Sequence, residues 1–178
     1  MSTNATPNPD ALALSRLSLA VEALSDDLSP VAVAGNLAAE LEWTLNLDGA
    51  AILWIRADHV QTIASSGALQ WRFRQGHDVS PDLARVVLEH APRRPWIEPG
   101  DALSLRSPAV GLALVPCLIG ASSIEHGCIV FGQQPGTPAG LADRLPTYVA
   151  AAAIVAARLR VLPSGSADPG ADGGAAPL

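Results

Sequence analysis

Arginine and aromatic side chains are concentrated in residues 66–108, a stretch with little periodic pattern that we call the lid. Long connections of this kind often carry binding residues. Aromatic walls with converging guanidinium groups suit a small anionic or planar ligand, so the lid predicts a ligand-binding site. Alternatively, the aromatic side chains seal one end of a core while the arginines remain in water. The candidate ligand-binding residues are Trp71, Arg72, Phe73, Arg74, His77, Trp96 and Arg106.

The four histidines stand at no spacing typical of metal ligands, and no metal site is expected. His77 lies close in sequence to Trp71 and Phe73, which makes it the candidate axial ligand of a haem group. A haem group needs an apolar slot as well as an imidazole, and one histidine beside two aromatic residues does not define one. Haem is therefore not favoured, and a haem-based sensor is kept as an alternative.

Two cysteines, Cys117 and Cys128, lie in predicted strands. If the connection between these strands turns between Ser122 and Ser123, the two cysteines lie opposite each other, with Cβ atoms about 4.5–5.5 Å apart. This register predicts a redox pair, and a redox sensor is a further alternative. Both cysteines lie among apolar residues without a basic neighbour, which favours two core side chains with unreactive thiols.

The composition excludes several classes of protein. The chain has 178 residues, of which 49% are hydrophobic and 16% charged, so it can form one domain with a core. Its eleven basic residues are all arginine and its net charge is −6, which argues against binding to nucleic acid or to an anionic membrane. The first ten residues do not resemble a signal peptide, and the longest apolar run is too short to span a bilayer. A cytoplasmic location is expected.

Motifs typical of catalysis are missing from the sequence. It contains no G-x-S-x-G, no H-E-x-x-H, no P-loop and no G-x-G-x-x-G. We therefore expect a protein that is not an enzyme.

The spacing of apolar residues indicates an α+β fold. Apolar positions three and four residues apart predict helices over about 14–28, 30–46 and 141–162, with a short helix over 81–89. Apolar runs predict strands over 50–56, 59–65, 96–97, 110–118 and 127–132. Short turns join strands that adjoin in sequence, so the sheet is expected to be antiparallel. The predicted domain spans residues 11–162, with disordered segments at 1–10 and 163–178.

Three motifs in this order resemble a GAF domain. The first is the small-residue entry to a strand, Asp48–Leu53. The second is the short helix Ala84–Glu89 followed by Arg93–Ile97. The third is Leu114–Pro116, followed after a turn by Gly127–Gly132. Together they extend the resemblance over about residues 15–160.

The resemblance implies a central antiparallel sheet of five to six strands, with the N- and C-terminal helices on one face and the lid on the other. GAF domains bind small regulatory molecules or tetrapyrroles between the sheet and its covering loops, or serve as dimerising linkers in signalling proteins. The resemblance therefore implies a non-enzymatic sensor that binds a small ligand beneath the lid and acts on a separate partner protein, such as a histidine kinase. The alternative is a ligand-free adaptor that keeps the fold as a dimerisation surface.

The chain departs from the best-defined members of this family. It contains no lysine, and so lacks the asparagine-lysine-phenylalanine type of motif expected of the cyclic-nucleotide binders. The lid contains no cysteine, which excludes the usual covalent attachment of a bilin there. The GAF enzyme that reduces free methionine sulfoxide needs cysteines around its pocket, whereas both cysteines here lie in predicted strands. These departures leave the ligand unidentified.

The first and last predicted helices carry apolar residues at a spacing near 3.5, which is typical of a seam between helices. The last helix is also apolar outside that seam, with many alanines. One of its faces can cover the sheet while another meets a second subunit. The pattern predicts a homodimer through the N- and C-terminal helices, although a monomer could bury the same surface internally.

Overall fold

The computed structural model of the chain describes residues 8–56, 58–90, 94–98, 111–119, 125–133 and 140–161. The α-helices of this part are α1 (Pro9–Glu22), α2 (Pro30–Leu45), α3 (Pro81–His90) and α4 (Leu145–Val161). The strands are β1 (Gly49–Ile55), β2 (Val60–Ser65), β3 (Trp96–Glu98), β4 (Gly111–Leu118) and β5 (His126–Gln133). A single 3-10 turn, Gly67–Leu69, follows β2.

The first helix begins at Pro9, two residues before the predicted start of the domain. Proline suits the first turn of a helix, where its missing N–H leaves no hydrogen bond unmade. Asn8 caps the helix, because its Oδ1 accepts a hydrogen bond from the N–H of Asp10 at 3.0 Å. Residues 9 and 10 are therefore folded, and the predicted disordered segment extends too far at this end.

The second helix has nearly the predicted bounds, because residues at both of its ends favour the start and the stop of a helix. Ser29 caps it, with Oγ accepting a hydrogen bond from the N–H of Ala32 at 3.3 Å, and Pro30 occupies the first turn. Asn46 ends it in the left-handed conformation, with φ of 50°. Asparagine tolerates that conformation better than most residues.

Five strands form one antiparallel sheet in the order β2-β1-β5-β4-β3. Neighbours in sequence pair as β1 with β2, β3 with β4 and β4 with β5, and β1 meets β5 at the centre. A register shift between Ile52 and Leu53 marks an irregularity in the pairing of β1 with β2. The predicted antiparallel sheet and α+β class are confirmed.

Apolar side chains cover both faces of this sheet. On the helix face, Ile52, Ile129 and Phe131 pack beneath α2 and α4, and α1 packs against both of those helices. On the lid face, Leu53 and Val130 contribute to a second core cluster that includes side chains of α3. The predicted placement of the N- and C-terminal helices on one face, with the lid on the other, is confirmed for the part of the lid that the structure describes.

The last helix begins at Leu145, four residues later than predicted, because residues 141–144 form a turn. Pro146 lies in its first turn, as predicted. Within the described residues, no helix combines the length and hydropathy needed to cross a membrane.

Candidate functional site

One serine and one glycine fix the start of the lid against the sheet. Ser66 Oγ donates a hydrogen bond to the carbonyl of Ala38 on α2 at 3.0 Å and accepts one from the N–H of Ala50 on β1 at 3.2 Å. Gly67 follows with φ of +54°, and a Cβ there would lie 2.3 Å from the carbonyl oxygen of Asp48. Only glycine fits this approach without displacement of the backbone, so the lid leaves β2 in one fixed direction.

The next part of the lid runs back along the outer edge of β2. The N–H of Thr62 donates to the carbonyl of His77 at 2.9 Å, and the N–H of Gly76 donates to the carbonyl of Thr62 at 2.8 Å. The N–H of Val79 donates to the carbonyl of Val60 at 2.8 Å. These bonds occupy polar groups of an edge strand that would otherwise be open to pairing with another chain.

Phe73, a predicted ligand-binding residue, is fully buried in the apolar core of the lid face. Its N–H and that of Arg72 both donate to the carbonyl of Leu69, at 2.9 and 3.0 Å, and this tight turn directs Phe73 inward. Trp71, two residues earlier, is 51% exposed. The lid-face core consists of Ala51, Leu53, Val60, Leu69, Phe73, Val79, Leu83, Val87, Leu112, Leu114, Cys128 and Val130.

Arg72 carries the most unusual polar group of the lid. Both of its terminal guanidinium nitrogens are buried, and neither has a hydrogen-bond partner within the described residues. The guanidinium carbon lies 4.7 Å from the ring centroid of Trp71, which is a cation–π contact and satisfies none of the N–H donors. Burial lowers the pKa of Arg72 below its ordinary value. The N–H groups of this guanidinium are therefore available to an anion.

Thr62 is a second buried polar side chain, and sequence reasoning missed it. It lies opposite Leu53 in the sheet, so its side chain shares the lid face, and it is only 1% exposed. Its Oγ1 has no hydrogen-bond partner within the described residues. The sequence did contain a signal for it. Apolar and polar residues alternate at the start of β2 (Val60-Gln61-Thr62), and Thr62 places a hydroxyl where this alternation predicts an apolar side chain. Buried hydroxyls are almost always paired, so this one marks a place where a polar ligand atom or water would be stabilised.

The other predicted site residues contribute no buried, unpaired polar side-chain atom within the described part of the chain. Arg74 and His77 have exposed side chains, and Arg106 lies outside the described residues. Trp96 is half-buried on the edge strand β3, where it stacks on His90 with ring centroids 3.7 Å apart. The Nε1–H of Trp96 donates to Glu98 Oε2 at 2.9 Å, so its polar atom already has a partner.

A tetrapyrrole does not fit the described residues. The lid face, where the resemblance places such a group, is occupied by the buried side chains of Phe73, Leu83 and Val87. His77, the candidate haem ligand, has an exposed side chain. The described part of the lid also contains no cysteine to which a bilin could be attached.

The predicted register of the two cysteines is wrong by one residue. Cys128 lies opposite Pro116, and Cys117 lies opposite Gly127. Since successive residues of a strand point to opposite faces, Cys128 packs on the lid face and Cys117 on the helix face. Side chains that diverge in this way cannot be bridged without movement of the backbone, so the two cysteines are not a redox pair.

Both thiols are also unreactive in this setting. Burial raises the pKa of Cys117 to about 12, with a small opposing effect of Arg160. Burial raises the pKa of Cys128 as well, and the neighbouring Cys117 adds to the effect. Because the thiolate is the nucleophile, neither side chain is prepared for covalent chemistry near neutral pH.

A groove of about 870 Å³ lies beside the lid-face core, between the β1–β2 connection and α3. It has an apolar floor and carries charges of both signs, and none of the predicted ligand-binding residues lines it. Asp58 Oδ1 and His59 Nδ1 at its rim are 2.7 Å apart, and this hydrogen bond lowers the pKa of Asp58. The lining residues are Asp58, His59, Val60, Asp78, Val79, Ser80, Pro81, Ala84, Arg85, Leu88 and Glu89.

Metal binding has no support in the described part of the chain. Histidine, cysteine, aspartate and glutamate side chains nowhere come together there in groups of three or more that could hold an ion.

No protein-family model matches this sequence, and no curated protein matches it either. Solved structures do resemble it. The GAF domain of an Acinetobacter phosphoenolpyruvate-protein phosphotransferase is 12% identical, with a TM-score of 0.62 over 86% of this chain and 94% of that one. The protein fRMsr of Staphylococcus aureus, in its reduced form, is 13% identical, with a TM-score of 0.60 over 89% of this chain and 99% of that one.

A third similar structure is the phycocyanobilin-bound GAF domain of a cyanobacterial phytochrome, which is 16% identical, with a TM-score of 0.54 over 88% of this chain and 96% of that one. The similar structures include sensor domains and also an enzyme, fRMsr. Likeness at this level of identity therefore establishes the fold and leaves the activity to the residues of the site. The five-stranded antiparallel sheet, with helices on one face and a lid on the other, has the GAF fold.

Proposed function

We propose that this chain is a non-enzymatic sensor module that binds a small anion beneath the lid and acts on a separate partner protein, such as a histidine kinase. The observation that carries the proposal is the guanidinium of Arg72, whose two terminal nitrogens are buried and have no partner among the described residues. A buried unpaired cation is costly, because it has lost its hydration without gaining a counter-charge. A carboxylate or phosphate would supply that charge and accept two parallel hydrogen bonds from the guanidinium.

The buried side chains of the lid face limit the size of the ligand. Phe73 and its neighbours already fill the apolar part of the lid face. The anion is therefore expected to be a single carboxylate or phosphate group with few additional atoms. Trp71, which stacks on the guanidinium and is half exposed, would form one wall of its site.

The thiols support the non-enzymatic part of the proposal. A GAF-fold enzyme exists among the similar structures, so the fold alone does not exclude catalysis. In this chain the two cysteines point to opposite faces of the sheet, and burial keeps both protonated. Neither is prepared to act as a nucleophile.

Thermal unfolding in the presence of anions tests the ligand assignment. The probes are inorganic phosphate and sodium acetate, each added to the full chain with sodium chloride as the ionic-strength control. We expect at least one probe to raise the melting temperature of the wild type, because a ligand that binds only the folded state stabilises it. Arg72→Gln should abolish this shift. Arg74→Gln, which removes the same charge from an exposed position two residues away, should retain it.

Two outcomes would contradict the assignment. One is a wild type that neither probe stabilises beyond the chloride control. The other is an equal shift in the Arg72→Gln and Arg74→Gln variants, which would show a general effect of ionic strength. Native mass spectrometry of the purified chain gives a second measurement, since a ligand retained from the cell would appear as a non-covalent mass that Arg72→Gln loses.

The second candidate function is a ligand-free adaptor, and the complete burial of Phe73 favours it. In that case the lid face is only a core, and an unpaired Arg72 is a defect rather than a site. Replacing Arg72 with methionine would then stabilise the protein and leave its association with the partner protein unchanged. Under the sensor proposal, the same variant would also be more stable but would no longer respond to anions.

A further inference from the structure

The groove between the β1–β2 connection and α3 does not include Arg72 among its lining residues, so the proposed anion site leaves it unused. Val60 of β2 and Val79 of the lid form part of its floor and are almost fully buried, at 1% and 6% exposure. Ala84 and Leu88 of α3 also line it and are half-buried. Its volume of about 870 Å³ lies within the range of ligand-binding pockets, so it has room for a short peptide.

The charged residues that line the groove are mostly acidic. Asp58, Asp78 and Glu89 are all exposed, and Arg85 is the one arginine among the lining residues. The hydrogen bond with His59 lowers the pKa of Asp58, so this carboxylate is ionised near neutral pH. Within the described residues, neither Asp78 nor Arg85 forms an ion pair. The groove therefore favours a ligand with positive charge.

The backbone of Asp78 offers a hydrogen-bond donor and an acceptor at the edge of the sheet. Asp78 forms an antiparallel bridge with Gln61 of β2. On either side of it, His77 and Val79 bond to β2 through a carbonyl at 2.9 Å and an N–H at 2.8 Å. Because successive residues of an extended segment present these groups to opposite edges, the N–H and C=O of Asp78 point away from β2. Neither has a backbone partner within the described residues.

We propose that this groove is a docking surface for an extended segment of the partner protein, in which basic residues alternate with apolar ones. The inference rests on the part of the proposed function in which the chain acts on a separate protein, and it does not require the anion at Arg72. The segment adds a strand at Asp78 and pairs with its N–H and C=O. Alternate side chains of the segment point to opposite sides, so its apolar side chains contact Ala84 and Leu88 while its basic side chains reach the carboxylates.

A peptide is the occupant because the groove presents backbone groups and carboxylates together. A small organic cation would use the carboxylates alone and leave the backbone groups of Asp78 to water. An acidic segment would meet three carboxylates and one guanidinium, and so would be repelled. Exposed ion pairs contribute little and are screened by salt, so most of the affinity comes from the apolar contacts and the backbone hydrogen bonds.

Titration of the isotope-labelled full chain with defined peptides, followed by NMR, tests the proposal. The probe is acetyl-Val-Arg-Val-Arg-Val-amide, and the charge control is the same peptide with glutamate in place of arginine. We expect the basic peptide to shift the amide signals of Asp78, Val79, Arg85 and Leu88. The acidic peptide should have a dissociation constant at least about fivefold higher.

Two N-methylated versions of the basic peptide test the added strand. One carries methyl groups on its valine amides, and the other carries them on its arginine amides. Only every second amide of a strand faces the neighbouring strand, so one version loses its backbone bond to Asp78 and the other keeps it. The dissociation constants of the two should therefore differ about twofold to tenfold.

Charge variants of the protein should shift the affinity in opposite directions. Asp78→Asn removes a carboxylate and should weaken binding of the basic peptide about twofold to fivefold. Arg85→Gln removes the opposing cation and should tighten binding by a similar factor, a gain that misfolding cannot produce. Asp27→Asn is the matched control, since it removes an exposed carboxylate between α1 and α2 and should change nothing. Arg72→Gln should also retain peptide binding, which separates failure of the anion site from failure of the docking surface.

Four results would overturn the proposal. The first is a basic peptide that leaves the amide signals of the groove unchanged at millimolar concentration. The second is equal binding of the basic and acidic peptides. The third is an Arg85→Gln variant that binds the basic peptide no more tightly than the wild type does. The fourth is equal affinity for the two N-methylated peptides, which would exclude the added strand.

Discussion

The hydroxyl of Thr147 donates a hydrogen bond to Oδ2 of Asp10 at 2.7 Å and so joins the first turn of α4 to the first turn of α1. Arg144 strengthens this junction, because its guanidinium lies 3.7 Å from the other carboxylate oxygen of Asp10 and also donates to the carbonyl of Leu45 at 2.9 Å. The beginnings of α1 and α4 and the end of α2 therefore meet at one polar cluster. These contacts tie α4 to α1 and α2 at this end of the helical layer.

Two threonines provide a matched test of which buried hydroxyls are paired. Thr147→Val removes the hydrogen bond to Asp10 and should lower the free energy of unfolding by about 1–3 kcal/mol. Thr62→Val removes a buried hydroxyl that has no partner among the described residues, so it should leave the stability of the ligand-free protein unchanged or slightly higher. Urea unfolding measures both. A loss of more than about 1 kcal/mol in Thr62→Val would mean that its hydroxyl is already paired in the ligand-free protein.

Two aromatic residues of the lid should differ sharply in their contribution to stability. Phe73→Ala opens a cavity in the lid-face core and should cost about 3–5 kcal/mol. Trp71→Ala removes a side chain that is 51% exposed, and its cost should be no more than about 1 kcal/mol. Chemical denaturation at constant ionic strength gives the comparison. Equal losses in the two variants would contradict the inward orientation of Phe73.

Two glycines with positive φ allow steric clash to be separated from backbone strain. Gly67→Ala combines a φ of +54° with a Cβ 2.3 Å from a backbone oxygen, and should destabilise the protein by at least about 2 kcal/mol. Gly76→Ala has a φ of +76° but free space around the Cβ, so only the strain of about 1 kcal/mol remains. Thermal unfolding of both variants tests this order. If Gly76→Ala were the more damaging, the close packing at the start of the lid would be wrong.

Alkaline pH should destabilise the protein through its buried thiols. Burial raises the pKa of Cys117 from about 9 to about 12 and also raises that of Cys128, so the unfolded chain releases these protons first. The stabilisation is complete below about pH 9 and is lost as the pH rises towards 12, by up to about 1.4 kcal/mol per pH unit for each group. Urea unfolding at pH 8, 9 and 10 measures this slope.

A variant without both thiols is the control for the alkaline effect. Cys117→Ala combined with Cys128→Ala should lose less stability between pH 9 and 10 than the wild type does. Tyr148, whose pKa burial also raises, remains in both proteins and contributes mainly at higher pH. Identical slopes for the two proteins would show that other groups cause the alkaline loss.

The periodic spacing of apolar residues predicted most of the helices and strands, because short stretches of sequence are enough to define them. The helical stripe and the proline of α2, and the apolar runs of β4 and β5, define their elements without reference to the rest of the chain. The start of α1 was placed too late, although Asn8 and Pro9 form a local signal for a helix start. The hydrogen bond that Thr147 donates to Asp10 from 137 residues away also holds this end in place, and no local pattern could have predicted that contact.

The candidate site was less predictable, for two physical reasons. A tight turn at Leu69 directs Phe73 inward and Trp71 outward. From the sequence alone the two are both aromatic residues of the lid, and nothing in their type shows which of them is buried. The register of β4 with β5 depends on how their connection turns, and a shift of one residue reverses the face on which a side chain lies. Cys117 and Cys128 were misplaced for this reason alone.

The order of the strands also constrains how the chain can fold. The β1–β2 and β4–β5 pairs join residues that are near in sequence, whereas the central pair places Ala50 opposite Phe131, roughly 80 residues later. Closing that longer loop costs about 2 kcal/mol more in chain entropy than closing a hairpin. The two hairpins should therefore form early and independently, and their docking along β1 and β5 should set the rate of folding.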